Sequence, residues 1–123
     1  MLVDAPCSGS GTWRRNPDAK WRLEEKDIEE LIPLQAGILA SASRLVRPGG
    51  RLVYATCSLF FEEDEAQVVT FLARNTDFVP VEAGPLWKDI TGSDWVGEGP
   101  WLRLSPARHN TDGFFVAVME RKG

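Results

Sequence analysis

The sequence contains few residues of the kinds that usually bind metals, with two cysteines and one histidine in 123 residues. These are too few for an ordinary four-ligand zinc site, so we expect no metal. The two cysteines can still be inert thiols, a disulfide or reactive thiols. A disulfide between Cys7 and Cys57 is geometrically conceivable, but disulfides are rare in the cytosol.

Long apolar runs and an excess of positive charge are also missing. No stretch approaches about 18 uncharged apolar residues, and Met1 to Asp4 lacks the charged-then-apolar pattern of a secretion signal. We therefore expect no membrane segment and a cytoplasmic location. The formal net charge is −4, so binding to nucleic acid would have to depend on a local patch.

The small-residue segment Gly9-Ser10-Gly11-Thr12 resembles part of a phosphate-binding loop. The Gly-Lys-Ser/Thr that such a loop requires does not follow it, which argues against a nucleoside triphosphate site. We expect the glycines to allow a tight backbone path beside a ligand instead.

The hydrophobic pattern alternates between strand and helix periods. It predicts strands at 1–5, 51–55, 77–81 and 113–120, and helices at 26–46 and 62–75. Pro33 is expected to divide the first helix in two. The segment 82–110 is expected to be a long connection with one small strand at 101–104. The order of elements predicts an α/β layer fold, in which the first helix makes the first two strands parallel neighbours.

Four consecutive acidic residues, Glu62-Glu63-Asp64-Glu65, come at the predicted start of the second helix. Negative charge is favourable at that end of a helix, so we expect these residues to complement the helix dipole. The apolar positions predicted for this helix are Ala66, Val69, Phe71, Leu72 and Ala73.

Each cysteine follows a predicted parallel strand by about two residues, so Cys7 and Cys57 should face each other across one crevice. Open α/β sheets bind ligands at this edge, and a thiolate is stabilised close to a helix start. Asp4 lies at the same edge. The alternatives are that Cys57 is a small buried hydrophobe and that Asp4 caps the nearby loop.

A basic segment follows the first cysteine on an otherwise acidic chain. Its four cations face one intervening Asp18 and form a plausible phosphate-contact patch: Arg14, Arg15, Lys20 and Arg22. Trp13 and Trp21 can stack on unpaired bases or simply cover the sheet edge. His109 precedes the last strand and can meet the same substrate, although a lone histidine near a turn is more often structural.

Several motifs resemble those of the Sun/Nop-type RNA cytosine-5 methyltransferases. In order, they are Asp4-Ala5-Pro6-Cys7-Ser8-Gly9-Ser10-Gly11-Thr12, Lys20-Trp21-Arg22, Leu34-Gln35, Pro48-Gly49-Gly50, Tyr54-Ala55-Thr56-Cys57-Ser58 and His109-Asn110-Thr111-Asp112-Gly113-Phe114-Phe115. The resemblance covers nearly the whole chain. It implies the C-terminal half of a Rossmann-like S-adenosylmethionine-dependent methyltransferase fold, with a mostly parallel sheet and an antiparallel last strand.

The resemblance also implies roles for individual residues. Cys57 would add to carbon 6 of a cytosine, so that carbon 5 can take a methyl group from S-adenosylmethionine. Cys7 would assist release of the product, and Asp4 would hydrogen-bond the base. Asp4, Ala5 and Pro6 would contact the cofactor. The RNA would be ribosomal or transfer RNA, contacted by the basic segment and by Trp21 and His109.

Residues 1–123 are then expected to be a partial catalytic domain that starts at the fourth strand of the fold. No strand followed by a glycine-rich turn and an acidic ribose-binding residue precedes Asp4. Most of the cofactor site would lie in the missing half, and the isolated chain would be inactive or weak. The alternative is a non-catalytic remnant or RNA-binding module that retains the fold. In either case the first strand is an exposed edge, so we expect self-association through it.

Overall fold

The computed structural model describes residues 1–12, 25–92, 100–104 and 113–123. The strands are β1 (Leu2–Asp4), β2 (Arg51–Thr56), β3 (Phe78–Val81), β4 (Leu102–Leu104) and β5 (Phe114–Arg121). The helices are α1 (Glu25–Ser43), α2 (Glu65–Arg74) and α3 (Ala83–Thr91). Short 3-10 turns occur at Ser10–Thr12 and Phe61–Glu63.

Within the described residues, five strands form one sheet in the order β1-β2-β5-β3, with β4 also paired to β5. β1 and β2 are parallel, and Leu2 lies opposite Val53. β5 is antiparallel to β2, β3 and β4. Four strands therefore share one direction, and the last strand runs against them, as the sequence predicted. Because β5 lies between β2 and β3, the parallel pairing among these strands is confined to β1 and β2.

The core lies on one face of the sheet, beneath α1 and α2. Alternate residues of β2 and β5 point to that face, as the two-residue period of a strand requires. Its fully buried members on the strands are Leu52, Tyr54, Phe115, Ala117 and Met119. Leu39 of α1 and Val68 and Phe71 of α2 cover them.

The prediction that Pro33 divides the first helix is wrong, because α1 runs through Pro33 without a break. A proline inside a helix costs about 3 kcal/mol through a lost hydrogen bond and a steric clash. The opposite face of α1 buries Gln35 and Leu39, and this packing holds the helix together. The helix also ends earlier than predicted, at Ser43, and Leu45 is exposed.

The predicted apolar face of the second helix is confirmed only in part, at Phe71 and Leu72. α2 buries Gln67, Val68 and Phe71, while Val69 is 56% exposed. The side-chain amide of Gln67 donates to the Ile32 carbonyl at 2.8 Å, so a polar residue occupies a core position. Hydrophobicity alone could not indicate this orientation, because the deciding contact is a hydrogen bond to another helix.

The segment 82–110 contains more structure than the predicted long connection. α3 occupies Ala83–Thr91, and Gly92 ends it with a left-handed φ of +76°. Gly84 and Pro85 suggested a loop, but both residues lie in the first turn, where a proline is tolerated. β4 confirms the small strand predicted at 101–104.

Gly11 lies where three segments of the chain meet. A single added methyl group at this position should therefore lower the stability of the fold. Its N–H donates to the Cys57 carbonyl at 2.8 Å, and its carbonyl accepts from the Gly113 N–H at 2.6 Å. A Cβ at Gly11 would collide with the Gly113 carbonyl and lie 2.7 Å from the Cys57 carbonyl oxygen. We expect Gly11→Ala to lower the free energy of unfolding by about 1–3 kcal/mol in urea denaturation.

The matched control is Gly37→Ala in the middle of α1, where no heavy atom lies within 4 Å of the added Cβ. Alanine gives the unfolded chain less conformational freedom than glycine does. At this open position the substitution should therefore raise the free energy of unfolding by about 0.5–1 kcal/mol. Equal effects of the two substitutions would contradict the close contact at Gly11.

Candidate active site

The two cysteines meet at the carboxyl edge of the parallel pair β1 and β2. The pairing continues past β1, where the Ala5 N–H donates to the Ala55 carbonyl at 2.9 Å. The Sγ atoms of Cys7 and Cys57 then lie 3.2 Å apart, a hydrogen-bond contact between two free, half-buried thiols. The structure thus brings together two side chains that are 50 positions apart in the sequence, as the predicted topology required.

The environment of Cys7 keeps its thiol protonated. Burial raises its pKa to about 12, and the hydrogen bond with Cys57 adds to the increase. Cys7 therefore holds a proton on Sγ at neutral pH, and can donate it in a hydrogen bond to the Cys57 sulfur.

The carboxyl group of Glu63 lies beneath the two cysteine loops and is fully buried. Its Oε1 accepts from the Ser8 N–H at 2.7 Å and from the Gln35 amide at 3.1 Å. Its Oε2 accepts from the hydroxyl of Ser8 at 2.6 Å and from the hydroxyl of Ser58. One side chain therefore binds the segments that follow Cys7 and Cys57 and also binds α1.

A second layer of hydrogen bonds holds these donors in place. The Gln35 amide also donates to the Pro6 carbonyl at 2.8 Å, and its Oε1 accepts from Gln67 at 3.1 Å. The Ser10 hydroxyl accepts from the Leu59 N–H at 2.7 Å, joining the two loops a second time. Side chains of α1 and α2 therefore hold the loops after Cys7 and Cys57 in place through hydrogen bonds.

Four residues that build the site were not predicted as site residues: Glu63, Gln35, Ser8 and Ser58. Two signals were available. A serine follows each cysteine, and Leu34-Gln35 is one of the motifs that carry the family resemblance. The acidic run was assigned to the helix terminus, whereas Glu63 and Asp64 are both fully buried.

Asp64 points away from the cysteines, toward β4. Its Oδ1 accepts from the Thr56 hydroxyl at 2.5 Å, and its Oδ2 pairs with Arg103 at 3.0 Å. Arg103 also pairs with Glu65 and lies over the Phe115 ring, 5.2 Å from its centroid. Burial raises the pKa of Asp64 to about 7, although the hydrogen bond from Thr56 and the charge of Arg103 act in the opposite direction.

The remaining predicted residues divide into two groups. Asp4 is exposed at the end of β1, on the same edge as the cysteines, and Ala5 is buried beside it. The residues predicted to contact RNA lie outside the described residues: Trp13, Arg14, Arg15, Lys20, Trp21, Arg22 and His109.

The described residues contain neither a cluster of metal-binding side chains nor a helix that could span a membrane. No group of three or more His, Cys, Asp or Glu side chains there is arranged to hold a metal ion. No helix there is both long enough and apolar enough to cross a membrane.

Solved structures define the class of protein. The structure titled "Crystal Structure of PH0851" matches with a TM-score of 0.85 and 43% identity, over 98% of this chain and 26% of that one. NSun6 from Pyrococcus horikoshii, solved with SFG, matches with a TM-score of 0.75 and 31% identity, over 99% of this chain and 29% of that one. The fold is therefore part of a Rossmann-like methyltransferase fold.

Sequence relatives define the family. Residues 1–120 match the family described as 16S rRNA methyltransferase RsmB/F. Over 98% of its length the chain is 42% identical to the putative methyltransferase Rv1407 of Mycobacterium tuberculosis, and it covers 26% of that protein. Over 95% of its length it is 42% identical to ribosomal RNA small subunit methyltransferase B of Shewanella oneidensis, again covering 26% of that protein. The chain belongs to the RsmB/F methyltransferase family, which confirms the resemblance in its motifs, and it spans about a quarter of these relatives.

The raised pKa of Asp64 predicts how stability depends on pH. Between its ordinary pKa of 3.8 and about 7, Asp64 is protonated in the folded chain but ionised in the unfolded chain. The unfolded state binds fewer protons there, so the contribution of Asp64 to stability falls as the pH rises through this range. We expect wild type to lose stability relative to Asp64→Asn across it, measured by urea denaturation at a series of pH values. A wild-type stability that stays constant or rises with pH relative to that of Asp64→Asn would contradict the burial effect.

Proposed function

We propose that this chain is the active-site part of an S-adenosylmethionine-dependent RNA cytosine-5 methyltransferase that acts on ribosomal or transfer RNA. The observation that carries the proposal is the 3.2 Å contact between Cys7 and Cys57 at the carboxyl edge of two parallel strands. Membership in a family described by its 16S rRNA methyltransferases supports the substrate class. The solved relative containing SFG supports a cofactor of the S-adenosylmethionine type.

Cys57 is the proposed nucleophile. After its proton leaves, its sulfur forms a bond to carbon 6 of the cytosine, and the electrons of the 5,6 double bond move to carbon 5. Carbon 5 then reacts as a nucleophile, and S-adenosylmethionine, when bound, supplies the methyl group. This covalent step divides one difficult reaction into two easier ones. Loss of the carbon 5 proton to a base finally restores the double bond and expels the Cys57 sulfur.

Cys7 is proposed to assist this release. Its Sγ retains a proton because its pKa is raised, and it lies 3.2 Å from the Cys57 sulfur. A hydrogen bond from Cys7 stabilises negative charge on that sulfur as the bond to carbon 6 breaks. Stabilisation of charge that appears during the reaction lowers the barrier more than equal binding of all states would.

Asp4 is proposed to hydrogen-bond the ring edge of the cytosine, because its exposed carboxylate lies at the same sheet edge. The residues Asp4, Ala5 and Pro6 fit one wall of the cofactor site. Asp4 offers a polar acceptor, and the bonds to Ala55 and Gln35 fix the backbone of Ala5 and Pro6. We place most of the cofactor site in the parts of the relatives that lie outside this chain.

Contacts with the RNA are proposed for the basic residues of 13–22, for Trp21 and for His109. Lysine and arginine side chains bind phosphates, and tryptophan rings stack on unpaired bases. A cytoplasmic location also remains a prediction.

Covalent trapping on RNA tests the proposed chemistry. A fluorine at carbon 5 of cytosine cannot leave as a proton does, so the adduct with Cys57 should accumulate on RNA containing 5-fluorocytosine when S-adenosylmethionine is supplied. We expect wild type and Cys7→Ala to form a denaturant-resistant protein–RNA complex on gels, in low yield because most of the cofactor site is placed outside this chain, and Cys57→Ala to form none. Unmodified RNA is the control for wild type. Absence of an adduct with wild type would favour a non-catalytic remnant or RNA-binding module.

We further propose that copies of this chain associate through β1, which has a partner on one side only among the described strands. Met1 and Leu2 there are 51% and 67% exposed, and an open apolar edge is a template for pairing. We expect oligomers of wild type by light scattering at micromolar concentration, and fewer of Leu2→Lys. Val69→Lys, at an exposed position of α2, should leave association unchanged. A monodisperse wild-type monomer would contradict the proposal.

A further inference from the structure

We propose that Glu63 is a positioning residue that sets the separation of the two thiols by binding both cysteine loops at one carboxyl group. Its importance for methyl transfer rests on the function proposed above. Glu63 itself does not touch either sulfur, so it acts through the residues that it binds.

The two thiols lie in identical dipeptides, Cys7-Ser8 and Cys57-Ser58. Both serine hydroxyls donate to the same oxygen of Glu63, Oε2, and the Ser8 N–H donates to the other oxygen at 2.7 Å. Each thiol is therefore one residue away from a hydrogen bond to this carboxyl group. A change in the position of the carboxyl group would move both sulfur atoms relative to each other.

The serine hydroxyls require an acceptor at this place. Ser58 Oγ already accepts from the Phe60 N–H at 3.0 Å, and Ser8 Oγ accepts from the Ser10 N–H at 3.3 Å. A hydroxyl has a single proton to donate, and in both serines that proton is directed to Glu63. A glutamine at position 63 must keep its carbonyl toward the Ser8 N–H and the Gln35 amide. It then presents an NH2 group to the two hydroxyls and takes their acceptor away.

Glu63 is well placed to position other groups because it is itself fixed at both ends. The Tyr54 hydroxyl donates to its backbone carbonyl at 2.7 Å, which ties the residue to β2. At the other end, Gln35 binds both the Glu63 carboxyl group and the Pro6 carbonyl. The backbone of Glu63 therefore cannot shift without breaking its contact to the sheet, and its carboxyl group cannot swing away without breaking its contact to α1.

The separation of the thiols can be measured as the tendency of Cys7 and Cys57 to form a disulfide in a glutathione buffer. The two thiols lose two protons and two electrons to form the S–S bond, and glutathione disulfide is reduced to two molecules of glutathione. The equilibrium gives the effective concentration of one thiol at the other, which depends on their alignment. Mass spectrometry after acid quenching measures it, at a temperature where circular dichroism shows each variant to be folded.

We expect Glu63→Gln to lower this effective concentration about tenfold or more, since misplacement by about 1 Å has effects of this size. Glu62→Gln is the matched control, because Glu62 is the exposed neighbour of the same residue type, and its value should equal that of wild type. A folded Glu63→Gln protein with the wild-type effective concentration would overturn the proposal, because a merely structural role would lower thermal stability without changing this value.

Ser58→Ala provides a second variant in case Glu63→Gln does not fold. It removes one of the two loop anchors, so the effective concentration should again fall. In the double variant, Ser58→Ala should lower the effective concentration by a smaller factor than it does alone, because both substitutions act on the same hydrogen bond. An unchanged value for Ser58→Ala would likewise overturn the proposal. The experiment contains no RNA, so positioning by Glu63 can be established even if trapping on 5-fluorocytosine RNA fails.

Discussion

The buried carboxyl group of Glu63 is the interaction on which the site depends. A buried carboxyl group is costly unless its oxygens are hydrogen-bonded. Among the described residues, four donor groups on three separate segments bind it. Ser8 supplies its N–H and its hydroxyl, Ser58 its hydroxyl, and Gln35 its side-chain amide. Loss of any one segment leaves the others with an unsatisfied buried group, which costs about 1–3 kcal/mol. The two loops and α1 therefore have to assemble together.

The next residue extends this dependence across the sheet. Glu63 and Asp64 are adjacent and both fully buried, but they bind different partners. Asp64 binds Thr56 at the end of β2 and Arg103 on β4, so the turn before α2 connects the cysteine loops with the far side of the sheet. This connection accounts for two acidic residues inside a small domain. Each carboxyl group ends a different set of hydrogen bonds.

The parts of this structure that the sequence predicted are those decided by local signals. A crossover long enough to hold a helix makes β1 and β2 parallel, and the position of each cysteine after its strand then brings the thiols together. Burial of Glu63 depends also on donors from Gln35 and Ser8, which are 28 and 55 positions away and which no local pattern contains. The predicted apolar face of α2 was partly wrong for a similar reason. Gln67 is a core residue because its side-chain amide donates to the Ile32 carbonyl on another helix. Hydrophobic periodicity therefore fails to predict core positions that polar residues occupy.

The different roles proposed for the two cysteines rest on their surroundings rather than on their sequence. Each is followed by a serine that binds the same oxygen of Glu63, so the anchoring of the two loops is nearly equivalent. Burial is the main cause of the raised pKa of Cys7, and the hydrogen bond with Cys57 adds to the increase. A thiol that keeps its proton is a poor nucleophile but a good donor to a neighbouring sulfur. A single carboxyl group can therefore bind both cysteine loops, while burial and the contact with Cys57 together keep the proton on Cys7.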